Sequence, residues 1–247
     1  MIVHIYYLTM YFLPERLVQT FSICAVEPES RTVGAAVASR YIAVGALVPF
    51  LRSDAGVVLT QSVANPSHGD EGLELLSTGI APRDALDRLL ALDPKAGIRQ
   101  VAILGLSGAG ATYSGSECTE IVAEEQRPGL IAMGNTLASA AVPAAMVEAY
   151  LRRFAASEEA PAGAAAANRM AAALIGALEA GEAAGGDKRG KQAAAVLIAA
   201  PGAGYGGNGD IAVDLRVDDH EDPVKELSRI FGRFLQNQRE EFAEDGA

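Results

Sequence analysis

The residues best suited to chemistry open an alternating run, TFSICAVE, at Thr20–Glu27. Phe21, Ile23 and Ala25 alternate with Thr20, Ser22 and Cys24, the period of a half-buried β-strand, so one face carries three side chains of nucleophile type. A threonine hydroxyl is a weak nucleophile until a base removes its proton. A threonine that heads its chain carries such a base in its own α-amine, whose ordinary pKa of about 7.7–8.0 leaves it close to half neutral at working pH. Here 19 residues precede Thr20. With those residues in place, Thr20 reads as an ordinary strand-opening threonine. Cys24 reads as a packed thiol, because free cysteine behaves as a small hydrophobe.

Four further stretches bring polar groups together, and each also has a plain structural reading. In GLIAMGNTLAS, Gly134 and Asn135 sit at a strand-to-helix junction. A backbone N–H and a side-chain amide there can donate to a developing oxyanion, or simply cap a turn. AGGDKRGKQ sets Asp187, Lys188 and Arg189 among glycines. The cations suit a carboxylate or phosphate, but the spacing is neither a Walker A nor a dinucleotide loop, and a solvated turn has the same composition. TQSVANPSHG ends a strand with Asn65, Ser67 and His68, placed to line a pocket at a sheet edge. His68 has no Ser/His/Asp context around it. RVDDHEDP gathers Asp218, Asp219, His220 and Asp222. That is a metal-ligand composition, yet neighbours on a strand point to opposite sides, and Asp222 before Pro223 reads as a helix cap. No metal is expected. Arg40, a cation in a small apolar strand, points to a pocket or snorkels to its rim.

The chain behind these residues has 247 residues, half of them hydrophobic, enough to bury a core without disulfides or metals. A formal net charge of -11 disfavours general nucleic-acid binding. Two cysteines, Cys24 and Cys118, announce neither a disulfide framework nor a zinc site, so a reduced, cytoplasmic protein is expected. The opening MIVHIYYLTMYFL is too short to span a membrane and lacks the flanks of a typical signal peptide. It reads as an atypical export signal, a removable pro-segment or, the reading favoured here, a start codon assigned too early.

The elements follow from pattern. After the first strand, TVGAAVASRYIAVGALVPFL gives one strand or two and AGVVLTQSVANP another, suggesting an antiparallel meander. SHGDEGLELLSTG and PRDALDRLLALDP have helical spacing. RQVAILGLSG and GATYSGSEC form a hairpin, and GLIAMGN adds a strand. Helices are expected at Pro143–Ala155 and around Asn168–Ala180, with Ala160–Ala167 a loop or weak helix. Strands follow at Lys191–Ala200 and Asp210–Asp218, then a helix over Pro223–Leu235. Helices come in pairs between groups of strands, so the expectation is one α+β domain over residues 20–236. It would have four layers, two antiparallel sheets with helices outside, preceded by an extension at 1–19 and followed by a polar tail at 237–247.

Taken together, TFSICAVEPESRTVGAAVASRYIAVGALVP, TQSVANPSHGDEGLELLSTG, RQVAILG, GNTLAS, AGGDKRGKQ, GGNGD and DLRVDDHEDPVKEL resemble the DUF1028 family from about Thr20 to Phe234. The resemblance implies an Ntn-hydrolase-like fold, a four-layer αββα sandwich. Such folds commonly cleave amide bonds with a Thr, Ser or Cys exposed at the head of the first strand, and Thr20 takes that position. Gly134 and Asn135 are then expected at the oxyanion, and Arg40, Asn65, His68, Asp187, Lys188 and Arg189 around a small, anionic substrate. The chain departs from the pattern in its extension and in lacking a lysine matching the proteasome-type catalytic one, Arg40 being the nearest cation. No cofactor, nucleic acid or membrane is implied, and a homo-oligomer is compatible with the fold. The alternatives are a non-catalytic binder of small anions in the same cleft and a metal-dependent hydrolase using Asp218, Asp219 and His220.

Overall fold

The computed structural model of the protein describes residues 18–156 and 163–245, with side chains as far as Glu240. Met1–Leu17, on which the leader readings mostly fall, lie outside the described residues.

β1 (Thr20–Glu27) pairs along its whole length with β2 (Thr32–Ser39), Thr20 standing opposite Ser39. Its other edge pairs with β8 (Leu130–Gly134), Phe21 opposite Gly134. With β7 (Ala123–Arg127), β9 (Ala193–Ala199) and β10 (Ile211–Val217) these strands form a six-stranded antiparallel sheet in the order β10-β9-β2-β1-β8-β7. A second antiparallel sheet runs β3-β4-β5-β6, from β3 (Pro49–Arg52), β4 (Gly56–Ser62), β5 (Arg99–Gly105) and β6 (Gly110–Ser114).

Two strand expectations change. The anticipated meander is broken, because a short turn at Val44–Ala46 carries the chain from β2 into the other sheet, where β4 pairs with β3 and β5. β1 is buried on both faces rather than one. Phe21, Ile23 and Ala25 face helices, while Cys24 packs with Val57, Leu59 and Met133 between the sheets. Burial accordingly pushes the Cys24 thiol pKa up and keeps it protonated, as a packed thiol should be.

The helices are α1 (Pro66–Ser77), α2 (Pro82–Leu92), α3 (Val142–Ala155), α4 (Ala164–Ala183) and α5 (Pro223–Asp245). α4 takes in Ala164–Ala167, and α5 continues past the expected end at Leu235. Three hydrophobic clusters hold the elements together. One lies between the larger sheet and α3, α4 and α5, one between the two sheets, and one between the smaller sheet and α1 and α2. The small residues of β2 set the first spacing. A Cβ on Gly34 would lie 2.6 Å from Ile198 Cδ1 and 2.8 Å from Met170 Sδ, so α4 lies as close as it does because position 34 has no side chain. The deeply buried start of β1 lies between these layers, where Thr20 meets Val18, Ser39 at the end of β2, Gln61 near the end of β4 and Asn135 just past β8.

Candidate functional site

The backbone just ahead of β1 is held in place. Val18 pairs with Ser62, its N–H donating to the Ser62 carbonyl and its carbonyl accepting from Ser62 N at 3.1 Å. Thr20 is fully buried, and its Oγ1 donates to the Val18 carbonyl at 2.7 Å. The Thr20 carbonyl accepts from Asn135 N at 3.0 Å.

Between these anchors, the Gln19 carbonyl oxygen meets two donors. Ser39 Oγ donates at 2.5 Å and Arg189 Nη2 at 2.7 Å. Ser39 is there because the antiparallel register of β1 and β2 sets it opposite Thr20. Arg189 is there because Asp187 grips it: Nε reaches Oδ1 at 3.1 Å, Nη2 reaches Oδ2 at 2.6 Å, and Arg189 N donates to Oδ1 at 2.9 Å. A bidentate fork of this kind fixes the guanidinium plane as a lysine would not. Asp187 Oδ2 also accepts from Arg40 N at 3.0 Å, and Arg40 Nη1 donates to the Arg189 carbonyl at 2.9 Å. The loop closes this tightly because Gly185 and Gly186 take φ of +125° and +58°, where side chains are strained. A neutral and a cationic donor converging on one carbonyl oxygen would stabilise negative charge developing there. The attached carbonyl carbon is joined to Thr20 N, so covalent geometry brings Thr20 Oγ within reach of it through a five-membered ring.

The Gln19 side chain is buried as well, with the residue 8% exposed, and Nε2 donates to Thr119 Oγ1 at 2.9 Å. Thr119 Oγ1 lies 3.0 Å from Thr136 Oγ1, which also reaches the Thr119 carbonyl at 3.3 Å. Thr136 has φ +52° and Ser62 φ +71°. Both are non-glycine residues in the left-handed region, and strain of this kind concentrates where a site holds its groups fixed. Alongside lies a cavity of about 100 Å³ bordered by Phe21, Ser39, Gly186, Asp187 and Lys191. That is well below the ~300 Å³ of an ordinary ligand pocket.

The expected site residues divide. Arg40, Asp187 and Arg189 come together beside Thr20. Asn135 is adjacent, but its side-chain amide, the expected oxyanion donor, is turned to Gln100, and its backbone N–H donates to the Thr20 carbonyl. Its amide nitrogen donates to Gln100 Oε1 at 3.0 Å, and its Oδ1 is buried without a partner. Gly134 gives its carbonyl to Gln100 Nε2 at 3.1 Å, and the Leu137 side chain fills the place of a Cβ. Lys188 turns outward to Glu120, with Nζ to Oε2 at 2.6 Å.

Asn65 and His68 serve α1 instead. Asn65 caps the helix, accepting from Ser67 N at 3.3 Å. His68 Nε2 meets Asp93 Oδ2 at 3.2 Å, and the same oxygen accepts from Arg99 Nε at 2.8 Å. Burial lowers the His68 pKa and outweighs the attraction of Asp93. Burial would raise the Asp93 carboxyl, but bonds from Arg99 and the Lys95 backbone hold it below the usual range. Asp219 accepts from Gln192 Nε2 at 3.0 Å, and His220 Nδ1 accepts from Asp222 N at 2.9 Å. Among the described residues no group of three or more His, Cys, Asp or Glu is placed to hold a metal ion. None of their helices is long and apolar enough to cross a membrane.

Sequence reasoning passed over Ser39, Gln19, Gln61, Gln100, Thr119 and Thr136. Gln61 and Gln100 left a signal: each is a lone amide in an apolar strand. They form a buried chain across the sheets, Ser22 Oγ to Gln61 Oε1 at 2.7 Å and Gln61 Nε2 to Gln100 Oε1 at 2.7 Å. Ser39 becomes legible only once β2 is laid antiparallel to β1.

Fold and site together define an α+β protein of two antiparallel sheets with outer helices. Its polar centre is built on the head of the first strand. The chain belongs to DUF1028, a family of unknown function, whose model matches residues 20–227. It is similar to the crystal structure of protein SPO2555 from Silicibacter pomeroyi, of that family. The two are 30% identical over 87% of this chain and 88% of that one, with a TM-score of 0.73. Anbu from Hyphomicrobium sp. strain MC1 aligns over 90% of this chain and 97% of its own at 11% identity, with a TM-score of 0.33, too distant to bear on the site. No curated protein matches.

Proposed function

We propose that the protein is an N-terminal-nucleophile amidohydrolase acting on a small substrate. Thr20, once it heads the chain, attacks an amide carbonyl whose oxygen is held by Ser39 and Arg189. The Gln19 carbonyl carries this reading. It is the one peptide carbonyl attached to Thr20 N, and it rests on two converging donors, one of them cationic. The first carbonyl attacked would be this one, releasing Thr20 with a free α-amine. The amine then serves as base for the hydroxyl on later substrates. The three hydrophobic clusters support the four-layer αββα arrangement of Ntn-hydrolase-like proteins as the frame. The test is the mature N-terminus. Intact mass and N-terminal sequencing of the expressed chain should find Thr20 first, and Thr20→Ala should keep the residues ahead of it and lose amide hydrolysis. A wild-type chain that retains Gln19 would sink the proposal.

A second reading, binding of small anions without catalysis, has one observation in its favour. As the residues stand, Thr20 N is an amide and Thr20 Oγ1 is spent on Val18. Stabilisation of Thr20→Ala by small anions, equal to that of wild type, would favour it.

A further inference from the structure

We infer that the acyl subsite takes a glutamine-like group, an acyl chain ending in a primary carboxamide. The inference rests on the reading of Thr20 as the nucleophile of a processed chain. In that reading Gln19 is the acyl group of the first turnover, so the pocket that positions Gln19 is inherited by the acyl group of each later substrate.

That pocket is built for a carboxamide. Gln19 is 8% exposed, its carbonyl lies on Ser39 Oγ and Arg189 Nη2, and its Nε2 donates to Thr119 Oγ1. The hydroxyl hydrogens decide the polarity of the far end. Thr136 Oγ1 donates its one hydrogen to the Thr119 carbonyl at 3.3 Å, so in the 3.0 Å pair of hydroxyls, where either oxygen can donate, we assign the donor as Thr119 Oγ1. This arrangement uses both hydrogens and leaves Thr119 Oγ1 presenting lone pairs to the pocket. A carboxamide N–H satisfies them. A carboxylate would set lone pairs against lone pairs, and an aliphatic chain would leave the half-buried hydroxyl oxygen without this donor. The strained backbone of Thr136, φ +52°, fixes the pair in place. The reaction balances as amide hydrolysis. Thr20 Oγ bonds to the acyl carbon while its proton passes through the α-amine to the leaving nitrogen. The C–N bond breaks and the amine departs. Water then adds to the ester, the C–Oγ bond breaks, and a glutamine-type acid leaves as Thr20 regains its proton.

The full chain is expressed and its mass read first. If it begins at Thr20, kcat/KM is measured for the anilides of glutamine, glutamate and leucine. Glutamine anilide should exceed both others by about tenfold or more, as a site built around a substrate N–H requires, and Thr119→Val should bring the ratios close to one. Hydrolysis without a glutamine preference overturns the inference and leaves the nucleophile reading standing. If the processed chain is inert to all three anilides, thermal shift decides: glutamine should stabilise it more than glutamate, and equal or absent stabilisation overturns the inference. If the chain keeps its first 19 residues, the nucleophile reading fails. The subsite is then tested in full-length Gln19→Gly, whose side-chain pocket is vacated. Propionamide should raise its melting temperature more than propionate does, and Gln19→Gly with Thr119→Val should show no difference. Equal or absent shifts in Gln19→Gly overturn the inference.

Discussion

At the scale of single residues, the centre depends on two donors with different supports. Ser39 is delivered by strand register, and Arg189 by the buried carboxylate of Asp187, whose side chain is 1% exposed. Removing one donor from a preorganised oxyanion site costs about 10²–10³ in rate. Ser39→Ala should therefore slow the appearance of chains beginning at Thr20 by at least about a hundredfold. Arg189→Ala should do so by more, because it also removes a positive charge beside the developing oxyanion. Timed cell-free synthesis followed by intact mass would measure both, and an unchanged rate in either variant would remove that donor from the mechanism. Thr20 was legible in the sequence because a polar nucleophile heading an alternating run is a local pattern. Arg189 was legible too, as a cation set among glycines, but Ser39 and Thr119 were not: each is an ordinary polar residue until the topology places it around Gln19.

At the scale of elements, local pattern succeeded where an element makes its own case. The leucine face of α2 and the alternation of β10 are readable because burial on one side repeats along the chain. β7, AEEQR, is a strand only because β8 offers it a ladder, and nothing in its composition says so. α1 is docked by a buried polar cluster rather than by apolar contact alone: His68 from the helix, Asp93 after α2 and Arg99 at the head of β5. His68 Nδ1 is buried without a partner, which suits a neutral ring donating through Nε2 to Asp93. Its folded pKa is lowered first by burial and further by Arg99, against the pull of Asp93 and Glu71. Above about pH 6.5 the ring is neutral in both states and contributes no pH dependence. As pH falls below that value the unfolded chain takes up the proton before the folded one does, so stability is lost. The urea midpoint of the wild type should therefore fall between pH 7.5 and 5.5 by more than that of His68→Gln. Identical slopes would show that His68 is not held neutral.

At the scale of the whole molecule, the two sheets meet at the bond in question. Ser62 of the smaller sheet holds Val18, while Ser39 of the larger sheet and the loop before β9 hold the Gln19 carbonyl. The amide chain through Gln61, Gln100 and Asn135 ties the sheets together directly beneath Thr20. The geometry at Gln19–Thr20 therefore exists only when the whole fold has closed, and the donors placed at this bond, Ser39 and Arg189, belong to the same chain. Groups fixed this way react at effective concentrations far above any attainable in solution. Release of the residues ahead of Thr20 should follow first-order kinetics. Its rate constant should be unchanged across a wide range of chain concentrations and by added, already processed protein. It should also vanish in urea above the unfolding transition, where the donors disperse. A rate that climbs with chain concentration would assign the cut to a second molecule, and one that survives unfolding would assign it to the bond's local chemistry rather than to the fold.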